Sequence, residues 1–253
     1  YKWLLGISLA LIALHNLADP VSASQFGAFA WLWNILHEQG LFTVAGFPVV
    51  VAYPLVPWFA VMGLGFCFGK IMTLPAPKRR QMLSRIGVAT IAAFLVIRGI
   101  NHYGDPLPWS REFPGMTFLS FLRCNKYPPS LDFLLMTLGP AFLLLVWFDR
   151  MTFSRNNPLI VFGRVPFFYF VVHFYLIHLL TFPVALVHYR RAAFLLQPLP
   201  SIGGPSAVYP PNYGYSLASV YGVWLLVLVL VYPVCWWFAD LKRRRKEWWL
   251  SFL

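Results

Sequence analysis

Leu131–Phe148 reads LDFLLMTLGPAFLLLVWF, and Leu217–Phe238 reads LASVYGVWLLVLVLVYPVCWWF. The first has one charged side chain, Asp132, at its edge, and the second has none. A helix that crosses the hydrocarbon core of a bilayer needs about 20 mostly apolar residues, because no water is there to satisfy its backbone. Both stretches meet that requirement. Four more of the same character lie at Trp3–Leu17, Pro48–Phe68, Ile86–Ile100 and within Pro158–His188. Trp3–Leu17 is short for a span, and Ile86–Ile100 draws on Met82 and Leu83 at one end. Alternation of the strand type is absent, which argues against a β-barrel.

Composition agrees. Of the 253 residues, 59% are apolar and only 11% charged, against roughly 25% charged in soluble domains. The mean hydropathy is +0.66. So little charge cannot cover a water-facing surface. Three cysteines, Cys67, Cys124 and Cys235, stand far apart without a CxxC. That spacing favours neither a disulfide framework nor a zinc site, and no metal is expected.

The net charge of +12 would point to nucleic acid in a soluble protein. Here its placement is topological, since Lys and Arg collect in short cytoplasmic loops. If the first helix starts inside, the inner segments hold Lys2, then Lys70, Lys78, Arg79, Arg80 and Arg85, then Arg150, Arg155 and Arg164, then Lys242–Lys246. Arg98, Arg111, Arg123, Lys126, Arg190 and Arg191 remain outside, with Asp19, Glu38, Asp105, Glu112 and Asp132. The expected architecture is an all-α membrane bundle of about six spanning helices with both termini cytoplasmic. Residues 1–253 are read as a single transmembrane domain, with the bilayer as partner and no nucleic acid.

The polar chemistry gathers on the outer side. Phe26–Leu36 is aromatic and too short to span, which fits an interfacial helix. Asn101-His102-Tyr103-Gly104-Asp105 is the densest polar cluster. A carboxylate beside a histidine fixes its tautomer and raises its basicity, which suits a general base. The same residues also suit a turn with Asx-type hydrogen bonds before Pro106. Arg123, Lys126 and Asp132 flank Tyr127-Pro128-Pro129-Ser130, which reads either as a cationic substrate rim or as a helix cap. His15, His37 and His188 fall near outer helix ends. His173 and His178 lie inside the fifth apolar stretch. Five residues apart, they point about 140° away from each other. Such a histidine serves as a general base, a haem or chlorophyll ligand, or an interhelical contact. Lys242–Arg245, followed by Trp248 and Trp249, fits an anionic-lipid sensor or a plain cytoplasmic anchor with an aromatic belt. Gly63, Gly65 and Gly69 fit close helix packing.

Three longer motifs, Tyr53–Lys70 (YPLVPWFAVMGLGFCFGK), Asn125–Pro140 (NKYPPSLDFLLMTLGP) and Gly163–His178 (GRVPFFYFVVHFYLIH), resemble, in that order, bacterial members of the heparan-α-glucosaminide N-acetyltransferase family. The resemblance is strong over about residues 45–180 and is one of hydropathy elsewhere. It implies acetyl transfer from acetyl-CoA, as co-substrate, to a sugar amine or hydroxyl on the outer side, in a bacterial inner membrane. Asn125 and Lys126 match an Asn-Lys pair of the family, His173 a histidine ten residues after a glycine, and Gly69-Lys70 a Gly-Lys at a cytoplasmic helix end. His102, Asp105 and His173 are the expected catalytic residues, with Asn125, Lys126 and Arg123 on the substrate side. The family's catalytic histidine and asparagine belong to its first helices, near an Arg-Gly segment that has no counterpart here. The expectation is therefore of a C-terminal portion that turns over only with upstream helices or neighbouring subunits. The alternative class is an accessory subunit of an electron-transfer or light-harvesting membrane complex.

Overall fold

A computed structural model describes residues 1–110, 116–197, 206–245 and 247–251. Arg111, Glu112 and Lys246, counted above in the charge distribution, lie outside the described residues. The chain forms two compact units, Tyr1–Met151 and Thr152–Leu253.

The first unit contains α1 (Lys2–Leu14), α2 (Ala30–Leu36), a hairpin of β1 (Gly40–Val44) and β2 (Phe47–Val51), α3 (Leu55–Met72), α4 (Ala76–Ile100), α5 (Met116–Leu122) and α6 (Leu131–Phe148). The second contains α7 (Pro158–Arg164), α8 (Pro166–Tyr189) and α9 (Leu217–Arg244). Among the described residues, α3, α4, α6, α8 and α9 are long and apolar enough to cross a membrane. A sixth span is counted if Lys2–Ala18 and Ala23–Leu36, bent by 101° from each other, are taken as one broken crossing. These helices expose apolar side chains around much of their circumference, such as Phe66, Leu95, Trp147, Leu179 and Val229. A helix apolar all round belongs in lipid or against other protein, not in water. The coarse architecture is a helical multi-pass membrane protein.

Several boundaries differ from the hydropathy reading. The second apolar stretch was expected to be helical from Pro48, but Pro48–Val51 is strand and the helix starts at Leu55. Two local features explain this. Ala45 and Gly46 both take positive φ, 50° and 84°, the backbone of a two-residue hairpin turn. The Val49-Val50-Val51 run is β-branched and pairs antiparallel with Leu41–Phe42 and Gly40. The third helix begins ten residues before its apolar part, behind Pro75, so Lys78–Arg80 form its first turns. The fifth stretch is two helices, broken at Val165, and Pro166 opens α8 as a first-turn proline. The last helix runs on through the basic residues to Arg244.

In the first unit α4 packs along α6, and α1 along α3. Both pairs meet through glycine. A Cβ on Gly139 would stand 2.6 Å from Ile91 Cγ1 and 3.1 Å from the Ile91 backbone nitrogen, and one on Gly63 would stand 2.3 Å from Ser8 Oγ. Gly65 and Gly69, grouped with Gly63 in the sequence, face open space. At one end of the α4–α6 pair, Asp149 accepts from Arg79 (2.5 Å) and Arg80 (2.7 Å). The second unit's core is Val161, Val165, Val227, Val231, Cys235 and Phe238.

Candidate active site

Opposite that clamp, at the other end of the first unit, polar side chains enter the interior in two linked groups. Arg98 sits in the last turn of α4 and is 2% exposed. It donates to four carbonyl oxygens, Nε to Phe121 (3.0 Å), Nη1 to Leu107 (3.0 Å), and Nη2 to Ser120 (3.2 Å) and Arg123 (2.7 Å). Two buried carboxylates flank it. Asp105 Oδ1 is 3.9 Å and Asp132 Oδ2 3.7 Å from Nη1. Asp105 accepts from the Leu107 and Asn125 amides (2.9 and 2.7 Å) and from Ser130 Oγ (2.6 Å). Among the described residues no hydrogen-bond donor reaches either carboxylate oxygen of Asp132. Gly104, at φ 99°, leaves room for it, since a Cβ there would lie 2.8 Å from Asp132 Oδ1. A charged side chain so deep in an apolar helix is costly unless paired. This group reads as a lock that holds the loops around α5 to the ends of α4 and α6.

Between the lock and α1 lies the second group. Ser130 caps α6 by accepting from the Phe133 amide (3.1 Å). The next amide, Leu131, donates to Asn16 Oδ1 (2.9 Å). Asn16 Nδ2 donates to Asp19 Oδ2 (2.7 Å), and Asp19 Oδ1 receives His37 Nε2 at 3.1 Å. His15 Nε2 donates to the Pro129 carbonyl (3.0 Å), and its Nδ1 faces the Ile12 and Leu11 carbonyls. His15 and His37 meet edge to face at 6.1 Å, and Trp33 lies against His37 at 5.3 Å. Both histidines are buried. They line a cavity of about 380 Å³ whose other walls are mostly apolar, among them Leu11, Leu14, Trp33 and Val56. That size admits a small molecule.

Local sequence produces this geometry. The chain leaves α1 through a 3₁₀ turn at His15–Ala18, which turns His15, Asn16 and Asp19 inward. Gly27, at φ 52° and ψ −118°, breaks the following 3₁₀ segment and lets α2 fold back. His37 at its end then reaches Asp19. Glu38 fixes the return by accepting from the Ala23 amide (2.6 Å).

The expected site residues divide accordingly. Asp105 is in the lock, whereas His102 is exposed on the turn and makes no hydrogen bond to it among the described residues. The Asp105 oxygens are already taken by two amides and a hydroxyl, so the expected pairing with His102 does not form. Asn125 shapes the loop, donating Nδ2 to the Tyr127 and Pro128 carbonyls (both 3.2 Å). Arg123 and Lys126 are exposed, and Lys126 Nζ lies 5.0 Å over the Tyr127 ring. Burial pushes the neighbouring Cys124 thiol up to about 12, against the opposing pull of Arg98. His173 belongs to the second unit, half-buried in α8, its Nδ1 on the Tyr169 carbonyl (3.0 Å) and its ring stacked on Tyr169 at 4.8 Å. Among the described residues no group of three or more His, Cys, Asp or Glu side chains is placed to hold a metal ion.

Sequence reasoning noted His15 and His37 only as histidines near outer helix ends. The signal that could have raised them was the density of His15, Asn16, Asp19 and His37 at two ends of one short apolar segment. The signal for Arg98 was a lone arginine inside VIRGI. Comparison of the chain with protein-family models, curated proteins and solved structures found no match.

Proposed function

We propose that this chain is a membrane-embedded acyltransferase that moves an acetyl group from acetyl-CoA to an amine or hydroxyl of a small acceptor, and that His37 supplies within this chain the general base that the resemblance led us to expect from upstream helices. The observation that carries the reading is the pair of buried His37 and half-buried Asp19 beside a cavity of about 380 Å³. The family resemblance of Tyr53–Lys70, Asn125–Pro140 and Gly163–His178 supports the reaction class.

The chemistry follows from the pairing. Asp19 takes the Nε2–H of His37, which leaves Nδ1 with its lone pair as the basic nitrogen. Asn16 holds the other oxygen of Asp19, so the carboxylate is fixed at both ends. As the acceptor nitrogen or oxygen attacks the thioester carbonyl, Nδ1 takes its proton. The C–S bond breaks, the CoA thiolate leaves, and the imidazolium returns the proton to sulfur. Apolar walls exclude water that would otherwise hydrolyse the thioester. The Lys and Arg distribution supports a cytoplasmic Arg79–Asp149 end of the first unit and an outer His37 end, and the family resemblance supports a bacterial inner membrane. The base then stands on the acceptor's side.

The test is thiol release from acetyl-CoA with amino-sugar acceptors, comparing the unsubstituted protein with His37→Gln and Asp19→Asn. A lost general base should cost about 10²–10⁴ in kcat, and Asp19→Asn should cost less, since Nδ1 keeps its place. A second reading has one observation in its favour. His173 and His178 each set Nδ1 on the carbonyl four residues back, at 3.0 and 2.8 Å, which leaves Nε2 without a hydrogen-bond partner among the described residues, as a haem or chlorophyll ligand would require. An absorption spectrum of the purified protein decides that case. A Soret or chlorophyll band supports it, and a spectrum of aromatic absorption alone removes it.

A further inference from the structure

The second unit has a cavity of its own, of about 410 Å³, lined by Arg155, Arg164, Ala239, Lys242 and Arg243. Four of its five lining residues are cations, and they come from three separate segments. Arg155 is on the loop before α7, Arg164 at the end of α7, and Lys242 and Arg243 in the last turn of α9. The loop is held there. Asn156 receives the Tyr232 hydroxyl on its carbonyl oxygen (2.6 Å) and the Trp236 Nε1–H on Oδ1 (3.2 Å). Lys242 Nζ reaches the Arg164 carbonyl at 3.4 Å.

Among the described residues, charge balance is missing at this cavity. The nearby carboxylate, Asp240, is held by Arg243 and by Arg244 (2.6 Å to the latter). Among the described residues Arg155, Arg164 and Lys242 have no carboxylate within ion-pair distance. A cytoplasmic basic anchor accounts for Lys242 and Arg243, which also suit the negative end of the α9 dipole. It does not account for Arg155 lining the same cavity from a loop whose next residue, Asn156, is tied to α9 by two hydrogen bonds, nor for Arg164 lining it from another helix. Convergent like charges repel one another unless an anion sits among them.

We infer that this cavity is a binding site for a phosphate group. Planar guanidinium forks from two directions match tetrahedral phosphate oxygens, and a lysine adds a point charge. A phosphate of this kind arrives either on an anionic lipid headgroup or on a soluble nucleotide. The inference is independent of the role given to His37.

The experiment uses the full chain in neutral detergent and reads the thermal unfolding midpoint against two titrants, phosphatidylglycerol in mixed micelles and ADP in the aqueous phase. The variants are Arg155→Gln and Arg164→Gln singly, with Arg85→Gln, an exposed arginine of the first unit, as the charge control. Unliganded midpoints report whether each variant folds, and Arg155 on its exposed loop provides the safer variant. The expected result is a rise in midpoint with at least one titrant. Its half-saturation should move about tenfold higher in each cavity variant, the loss of one charge-assisted hydrogen bond, and stay unchanged in Arg85→Gln. A response to phosphatidylglycerol alone identifies a lipid headgroup, and one to ADP alone a soluble ligand. No response to either titrant, or an equal weakening by Arg85→Gln, would overturn the site.

Discussion

Arg98 commits four of its N–H groups to carbonyl oxygens on α5 and its flanking loops while two buried aspartates sit just beyond hydrogen-bond range. Removing it would orphan the carbonyls and leave both carboxylates without a cation. Arg98→Ala should therefore cost about 3–5 kcal/mol of stability, the usual penalty for breaking a buried pair from one side. Arg98→Lys, which keeps the charge but not the planar fork, should cost less. Denaturant unfolding in detergent measures both, and a loss below about 1 kcal/mol for Arg98→Ala would show that the lock carries no load. Cys124 lies beside this group with its thiol pushed up to about 12 by burial. At pH 8 it is almost wholly protonated. Its alkylation by iodoacetamide, mapped by peptide mass, should then run at least about a hundredfold slower than that of an ordinary exposed thiol, and recover on denaturation. Little of this was legible beforehand. His102 and Asp105 are neighbours in sequence, but Gly104 turns the chain between them, and proximity along the chain says nothing about where a buried arginine will draw a carboxylate.

Helix pairing in the first unit rests on close approach. Gly139→Ala should cost about 1–3 kcal/mol, because the backbone nitrogen of Ile91, 3.1 Å from the added carbon, cannot move away as a side chain could. Gly65→Ala and Gly69→Ala meet open space and should be neutral or slightly stabilising, as alanine favours helix over glycine. Equal effects at all three would remove glycine packing from the account. At the opposite end of the pair from the site, hydrogen bonds from Arg80 and then Arg79 hold the Asp149 carboxyl below its ordinary range. A depressed carboxylate stabilises the fold above its unfolded pKa, and that contribution is lost as pH falls through the folded value. Stability should decline on acidification below the ordinary aspartate range, and Asp149→Asn should remove part of the slope while lowering stability at neutral pH. An identical acid limb in Asp149→Asn would contradict the clamp. At this scale the apolar run Leu131–Phe148 matched its helix from end to end. Ile100 as a helix end and Leu217 as a helix start also matched, and other edges shifted for reasons hydropathy does not register. A positive-φ turn at Ala45-Gly46 made strand of Pro48–Val51, and a proline at position 166 split the fifth stretch.

Across the molecule, the apolar composition made the long membrane-spanning helices legible, and the sidedness read from Lys and Arg is the expectation that labelling tests. The candidate site was not legible, because it depends on a 3₁₀ turn, a kink at Gly27 and the Glu38–Ala23 hydrogen bond, which bring His15, Asn16, Asp19 and His37 together from both sides of a loop. In a Cys-free background, single cysteines at Lys78 and Arg244 should be shielded from an impermeant thiol reagent in intact cells, while one at Ala45 on the hairpin turn should label. The reverse pattern would put His37 on the donor's side and remove the reason for a base there. Catalysis by the His37–Asp19 pair is the central claim, and turnover measures it most directly. Thiol release from acetyl-CoA, counted per folded molecule in detergent with amino-sugar acceptors, should fall by at least about a hundredfold in His37→Gln and remain at the unsubstituted level in His102→Ala. Turnover by His37→Gln equal to that of the unsubstituted protein, or no acceptor-dependent thiol release by the unsubstituted protein at all, would contradict it.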